Sequence, residues 1–200
     1  MERGVVDINT VLNGGGSAAG TGIVLTSTGE VLTNNHVIED AAIIKAVDVG
    51  NGRTYTATVV GTDEADDIAL LQLQGASRLQ KVRTGDSSRV AVHDSVTAVG
   101  NAGGAGGIPS AAVGSVTALN QTITAQDEVT GSSEQLSGLV QIDAAVQAGD
   151  SGGPLINASG EVIAIDTASA TGFQFRYGNS EGFAIPIDQA LLVAKLISKA

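Results

Sequence analysis

Residues Ala144 to Ile156 read AAVQAGDSGGPLI, with one serine, Ser151, set among three glycines and followed by an apolar run. Glycine weakens a strand and marks a tight bend or a close backbone approach. A loop of this kind can aim backbone N–H groups at one point beside the hydroxyl, which is what acyl transfer needs once a base is supplied. Only two histidines exist. His93, beside Asp94 in a turn between two strand patterns, reads as exposed or structural. His36 follows a strand ending at Thr33 and is delivered at the mouth of a sheet, before a short apolar turn at Val37 and Ile38. It is the candidate base. The orienting carboxylate is expected at Asp67, which starts the apolar strand DIALLQL. There it sits at the edge of the core, where it can be desolvated and accept the second imidazole N–H.

Chain order separates the possible hydrolase scaffolds. GDSGG matches the G-x-S-x-G elbow of α/β-hydrolases, but those enzymes place the histidine after the serine, and none follows Ser151. An Asp, His, Ser order as in subtilisin would take Asp7 as the acid. Order alone leaves it open, although the β-rich pattern speaks against that α/β fold. His36, Asp67, Ser151 is the order of chymotrypsin.

The elements that must hold these residues read as strands. Apolar, β-branched runs punctuated by Gly, Asn, Asp or Ser recur at 5–10, 22–26, 42–49, 55–62, 67–73, 96–100, 115–119, 139–143, 154–157, 161–167 and 182–187. This is an all-β pattern, expected to form a sandwich or closed barrels. Asn51-Gly52 between two such runs is a hairpin signal, and DEADD (63–67) reads as a solvated turn apart from its last member. NGGGSAAGTG (13–22) and GNAGGAGG (100–107) lack a phosphate-loop ending and read as flexible loops. The one clear helix comes last, with Asp188 as its cap and Ala190, Leu191, Ala194 and Ile197 at helical spacing.

Of the 200 residues 42% are hydrophobic but only 2% aromatic, so the core must be built from Val, Ile, Leu and Ala. A net charge of −11 without a basic cluster argues against nucleic acid or an anionic membrane as partner. No apolar run reaches the roughly 18 residues of a membrane span. The opening MERGVVDINT has no apolar signal region. The absence of cysteine excludes disulfides and thiolate metal sites; neither a metal nor any other cofactor is expected.

TNNHVI, DDIALLQL and GDSGGPLI together resemble the three catalytic blocks of trypsin-like proteases. GTGIVLTSTGEVLTNNHVI, LVQIDAAVQAGDSGGPLINASGEVIAIDTA and EGFAIPID are similar to the HtrA (high-temperature-requirement A) branch, over nearly the whole chain. The resemblance implies two six-stranded antiparallel β-barrels with a cleft between them. The first barrel would span about 1–88, the second about 89–187, and a C-terminal helix 188–199. It implies a serine endopeptidase with His36, Asp67 and Ser151 as the triad and the N–H groups of Gly149 and Ser151 as the oxyanion hole. Polypeptide substrates, unfolded proteins among them, a possible homotrimer and a secreted or cell-envelope location come with it. The rival reading is a chaperone-like binder of unfolded chains with little catalysis, for which an intact triad would be unnecessary.

Several features depart from the branch or qualify it. Members commonly carry a C-terminal PDZ module, whereas this sequence stops at Ala200, as expected of either a naturally short protease or, the favoured reading, an excised catalytic domain. Asp150 stands where the branch often has Asn, and is expected to accept local backbone N–H bonds. The polar segment Thr122–Gly138 reads as a loop. In trypsin-like folds the floor of the pocket for the side chain before the scissile bond lies six positions before the nucleophile, here Ala145. Its wall is expected near Asp166, Thr167 and Ala168. Such a pocket favours cleavage after Val, Ala, Ile or Leu over Arg or Lys, unless the Asp166 carboxylate points into it.

Overall fold

Strands rich in β-branched residues pair here with neighbours near in sequence, and the sheets curl shut because both ends find a partner. The computed structural model describes residues 4–126, 133–167 and 182–199. Strands β1 (Val5–Leu12), β2 (Ser17–Val24), β3 (Glu30–Thr33), β4 (Ala41–Asp48), β5 (Thr54–Asp63) and β6 (Ile68–Leu73) form one closed antiparallel barrel, in the order β1-β2-β3-β6-β5-β4. Strands β7 (Ser95–Gly100), β8 (Ser110–Gln126), β9 (Ser133–Ile142), β10 (Pro154–Asn157), β11 (Val162–Asp166) and β12 (Gly182–Pro186) form a second, in the order β10-β11-β12-β9-β8-β7. A single helical turn, α1 (Asn35–Ile38), follows β3, and α2 (Ile187–Ile197) ends the described chain.

The near-continuous apolar character of β6, IALLQL, has a packing reason. Successive side chains of a strand point to opposite faces. Ala69, Leu71 and Leu73 enter the first barrel's interior with Val6, Ile8, Val31 and Ile44. Ile68 and Leu70 face the other way, joining Ile23 and Leu32 against Ile165, Ile185, Ile187 and Val193 of the second barrel and α2. Both faces are dry, so the strand does not alternate apolar with polar. This second cluster is the seam between the barrels, and Asp67 begins the strand that crosses it. The interior of the second barrel is filled separately, by Val116, Ile142, Leu155 and Ile163 among others.

Some expectations are corrected here. The segment Thr122–Gly138, expected to be a loop, carries the ends of a long antiparallel pair: β8 runs on to Gln126 and β9 starts at Ser133, with Thr124 opposite Gln135. Only one face of that hairpin is apolar; Ile123 and Leu136 are buried while Thr122 and Thr124 are exposed, so its composition looks like that of a loop. Glycine-rich 13–22 is a turn only at its start, since β2 begins at Ser17. GNAGGAGG is fastened rather than loose, through bonds described below. Asp188 does not cap α2 but lies in its first turn, where its carboxylate accepts from the Ser87 amide (2.9 Å) and hydroxyl (2.7 Å). Asn51-Gly52 does lie in the β4–β5 connection, where Gly52 N donates to Asp48 O at 2.7 Å.

Candidate active site

The sequence NNHVI makes one turn of helix after β3, and the N–H groups that open a helix need acceptors. Asp67 provides them. Its carbonyl accepts from Asn35 N (3.2 Å) and Asn34 Nδ2 (3.0 Å), and its carboxylate accepts from His36 N (3.0 Å). The same carboxylate faces the imidazole, with His36 Nδ1 2.9 Å from Oδ2 and 3.1 Å from Oδ1. A carboxylate can only accept, so Nδ1 carries the proton and Nε2 presents its lone pair. Asp67 is 5% exposed, dry enough for this pairing to hold the ring.

A third donor to the Asp67 carboxylate comes from the other barrel. The hydroxyl of Thr167, at the end of β11, lies 3.0 Å from Asp67 Oδ2 and is buried. Thr167, expected in the pocket wall, directs its hydroxyl to this carboxylate. Asp7, the alternative acid, is also settled by position. It sits on β1 with its Oδ2 accepting from Gly107 N at 3.0 Å, and burial pushes its carboxyl above the ordinary range against the opposing effect of that amide.

The Ser151 loop is wedged between strands of both barrels. Thr21 N on β2 donates to Ser151 O at 2.8 Å, Gly152 N donates to Asp166 O at 2.8 Å, and Gly153 N donates to Asp150 O at 2.8 Å. Gly149 and Gly152 adopt φ of +97° and +84°, where L side chains are strained. A Cβ on Gly152 would overlap the Thr21 carbonyl oxygen, and one on Gly149 would overlap that of Asn101. The glycines around the serine are thus required by backbone approach on either side. Asp150 accepts from Gln147 N (2.9 Å) and Ser110 Oγ (3.2 Å), the local role expected of it; burial nonetheless raises its pKa.

Among the pocket candidates, Ala145 is exposed and Ala168 lies outside the described residues. Asp166, expected near the pocket wall, is the last residue of β11. It is 0% exposed, and among the described residues neither carboxylate oxygen has a hydrogen-bond partner. Burial pushes its carboxyl well above the usual range, and the charge of Asp150 adds to this. His93 is exposed in a turn with φ +78°. Among the described residues no group of three or more His, Cys, Asp or Glu side chains could hold a metal ion.

Sequence reasoning missed two residues that grip the site: Thr167 as a donor to Asp67, and Thr21 beneath the serine loop. The only sequence signal for Thr21 was its place between two glycines in GTG.

Comparison with known proteins agrees with this geometry. The description "Trypsin-like peptidase domain" matches residues 20–165. The chain is 38% identical over 177 residues to the periplasmic pH-dependent serine endoprotease DegQ of Escherichia coli, covering 88% of this chain and 36% of that protein. It is 38% identical over 196 residues to the serine protease PepD of Mycobacterium tuberculosis, covering 91% of this chain and 42% of that one. The solved HtrA-type protease AlgW with tripeptide superposes with a TM-score of 0.80 at 30% identity, over 98% of this chain and 60% of that one. The chain therefore spans between a third and a half of the length of these curated relatives.

Proposed function

This chain belongs to the trypsin-like peptidases, in their HtrA branch, and on that premise we propose that it is a serine endopeptidase acting through His36, Asp67 and Ser151. The observation that carries the reading is the His36 imidazole, held through Nδ1 by a buried carboxylate that also accepts from Thr167. An imidazole fixed in that tautomer takes the Ser151 hydroxyl proton at Nε2 as Oγ attacks the substrate carbonyl. The carbonyl oxygen gains charge and is received by the N–H groups of Gly149 and Ser151, each such donor being worth about 3 kcal/mol in the transition state. His36 then returns the proton to the leaving amine, and a water repeats the sequence on the acyl-enzyme. Asp67 holds the imidazole in this orientation and stabilises the imidazolium.

For substrates, we propose unfolded polypeptides cleaved after small or medium aliphatic residues. Ala145 offers no counter-charge, and Asp166, with its side chain fully buried, presents none to an arginine or lysine. The periplasmic naming of the DegQ relative supports a site of action outside the cytoplasm, and the resemblance to the branch suggests a homotrimer, checked by light scattering. The central test is digestion of casein with and without a serine-directed fluorophosphonate. Cleavage blocked by the reagent, together with its attachment at Ser151, is expected. Casein hydrolysis that persists in Ser151→Ala would refute the reading.

A further inference from the structure

Thr21 is 0% exposed on β2 of the first barrel, yet its contacts gather the catalytic loop of the second. Its hydroxyl donates to the Gly149 carbonyl at 2.7 Å and accepts from Asn101 N at 2.9 Å. Its N–H donates to Ser151 O at 2.8 Å, and its own carbonyl accepts from Thr33 Oγ1 at 2.6 Å. Thr33 is the last residue of β3, three positions before His36. One residue, through its hydroxyl and its backbone, is thus tied to both residues whose N–H groups would receive the oxyanion and to the strand that delivers the base.

The turn after β7 completes the arrangement. Asn101 O accepts from Gly104 N at 2.8 Å, and Gly103 N donates to Ala148 O at 2.7 Å. The peptides on either side of Gly149 are each held by their carbonyl, one by Gly103 and the other by the Thr21 hydroxyl. In a planar trans peptide the N–H points opposite to the C=O. Holding the Ala148 carbonyl toward Gly103 therefore fixes the Gly149 N–H away from that turn. The Thr21 hydroxyl anchors the turn through Asn101 N and fixes the next peptide through Gly149 O.

We propose that Thr21 is the positioning residue of the oxyanion donors: its buried hydroxyl, bridging Asn101 N and Gly149 O, holds the turn at 101–104 against the serine loop, and the Gly103 N–H of that turn, on the Ala148 carbonyl, sets the direction of the Gly149 N–H. The proposal rests on the serine-peptidase reading above. A threonine fits because it fills a strand position inside a barrel while supplying one donor and one acceptor. Valine has nearly the same shape and neither function, so it would strand a buried carbonyl and a buried N–H that can be satisfied only by moving the loop.

The test is steady-state hydrolysis of a peptide substrate by Thr21→Val and Thr21→Ser, with inhibition by a peptide boronate that places an oxygen in the oxyanion hole. Thr21→Val should lower kcat about 10- to 100-fold, short of the 10²–10³ seen when a donor is deleted outright, with KM changed by less than about threefold. Boronate affinity should fall in parallel with kcat/KM, and Thr21→Ser should recover most of the loss. A purely structural role would instead lower thermal stability without separating kcat from KM. If Thr21→Val does not fold, Thr21→Cys, with its weaker donor and acceptor, replaces it and should fall below Thr21→Ser in kcat. Wild-type kcat in Thr21→Val or Thr21→Cys, or a Thr21→Ser variant as impaired as either, would overturn the proposal. Absence of hydrolysis and of Ser151 labelling in the wild-type protein would instead overturn the serine-peptidase reading.

Discussion

Gly149→Ala separates two costs that a glycine in a catalytic loop can conceal. The first is conformational. Gly149 has φ +97°, and holding an L residue in the left-handed region costs about 1–2 kcal/mol. The second is spatial. The added methyl would overlap the Asn101 carbonyl oxygen and stand 3.1 Å from Gly104 N, both backbone atoms that cannot swing aside as a side chain can. The loop must therefore shift by a distance on the order of 1 Å, and a misplacement of that size costs about 100-fold in rate. Gly15, in the β1–β2 turn, is the internal control: its φ is +87°, and a Cβ there would meet nothing within 4 Å. Gly15→Ala should bear only the conformational cost, about 1–2 kcal/mol of stability, and keep its kcat. Gly149→Ala should lose stability by more than that and kcat by about 10²–10³, as when an oxyanion donor is removed. Chemical denaturation gives the stability and peptide hydrolysis the rate. If the two variants were equally destabilised and equally active, the close approach of Asn101 to the loop would be wrong.

Other consequences can be checked in parallel. Asp67→Asn should lower kcat by about 10⁴ by favouring the wrong imidazole tautomer. Thr167→Val removes a hydrogen bond to a charged group worth about 1.5–3 kcal/mol and should cost about 10-fold or more in kcat/KM; wild-type kinetics would show that the Thr167 contact with Asp67 is idle. Asp166 binds its proton more tightly folded than unfolded, so its contribution to stability is fully present below the unfolded pKa of 3.8 and is lost as pH rises through the raised folded value. Asp166→Asn, an isostere of the neutral acid, should therefore raise Tm at neutral pH, with the gap closing toward pH 3.8; a lower Tm at neutral pH would contradict the burial argument. Mass-spectrometric mapping of cleavage sites in a digested unfolded protein should show Val, Ala, Ile and Leu before the cut, and a dominance of Arg and Lys would refute the Ala145 pocket.

Much of this protein was legible in the chain because the relevant signals are local. Alternation of apolar residues, turn residues between them and the absence of helical spacing before the last segment are properties of neighbouring positions, and they led to an all-β sandwich or closed barrels with a terminal helix; the two six-stranded barrels came from the resemblance of the three motif blocks to trypsin-like proteases. The order of His36, Asp67 and Ser151 is also carried by the chain; it removed the α/β-hydrolase elbow, since no histidine follows Ser151, while the β-rich pattern spoke against the subtilisin arrangement that order left open. The segment Thr122–Gly138 misled because a hairpin with one wet face has the composition of a loop; only the burial of Ile123 and Leu136 distinguishes the two. What barrel closure alone decided is which groups meet across long separations. Thr167 finds Asp67 one hundred residues away, Thr21 finds Gly149 at a separation of 128, and Asp166 is fully buried with its backbone carbonyl on Gly152 N. A hydroxyl or a carboxyl carries no mark of its partner in the sequence, because its direction is set by strand register and by the packing of one barrel on the other.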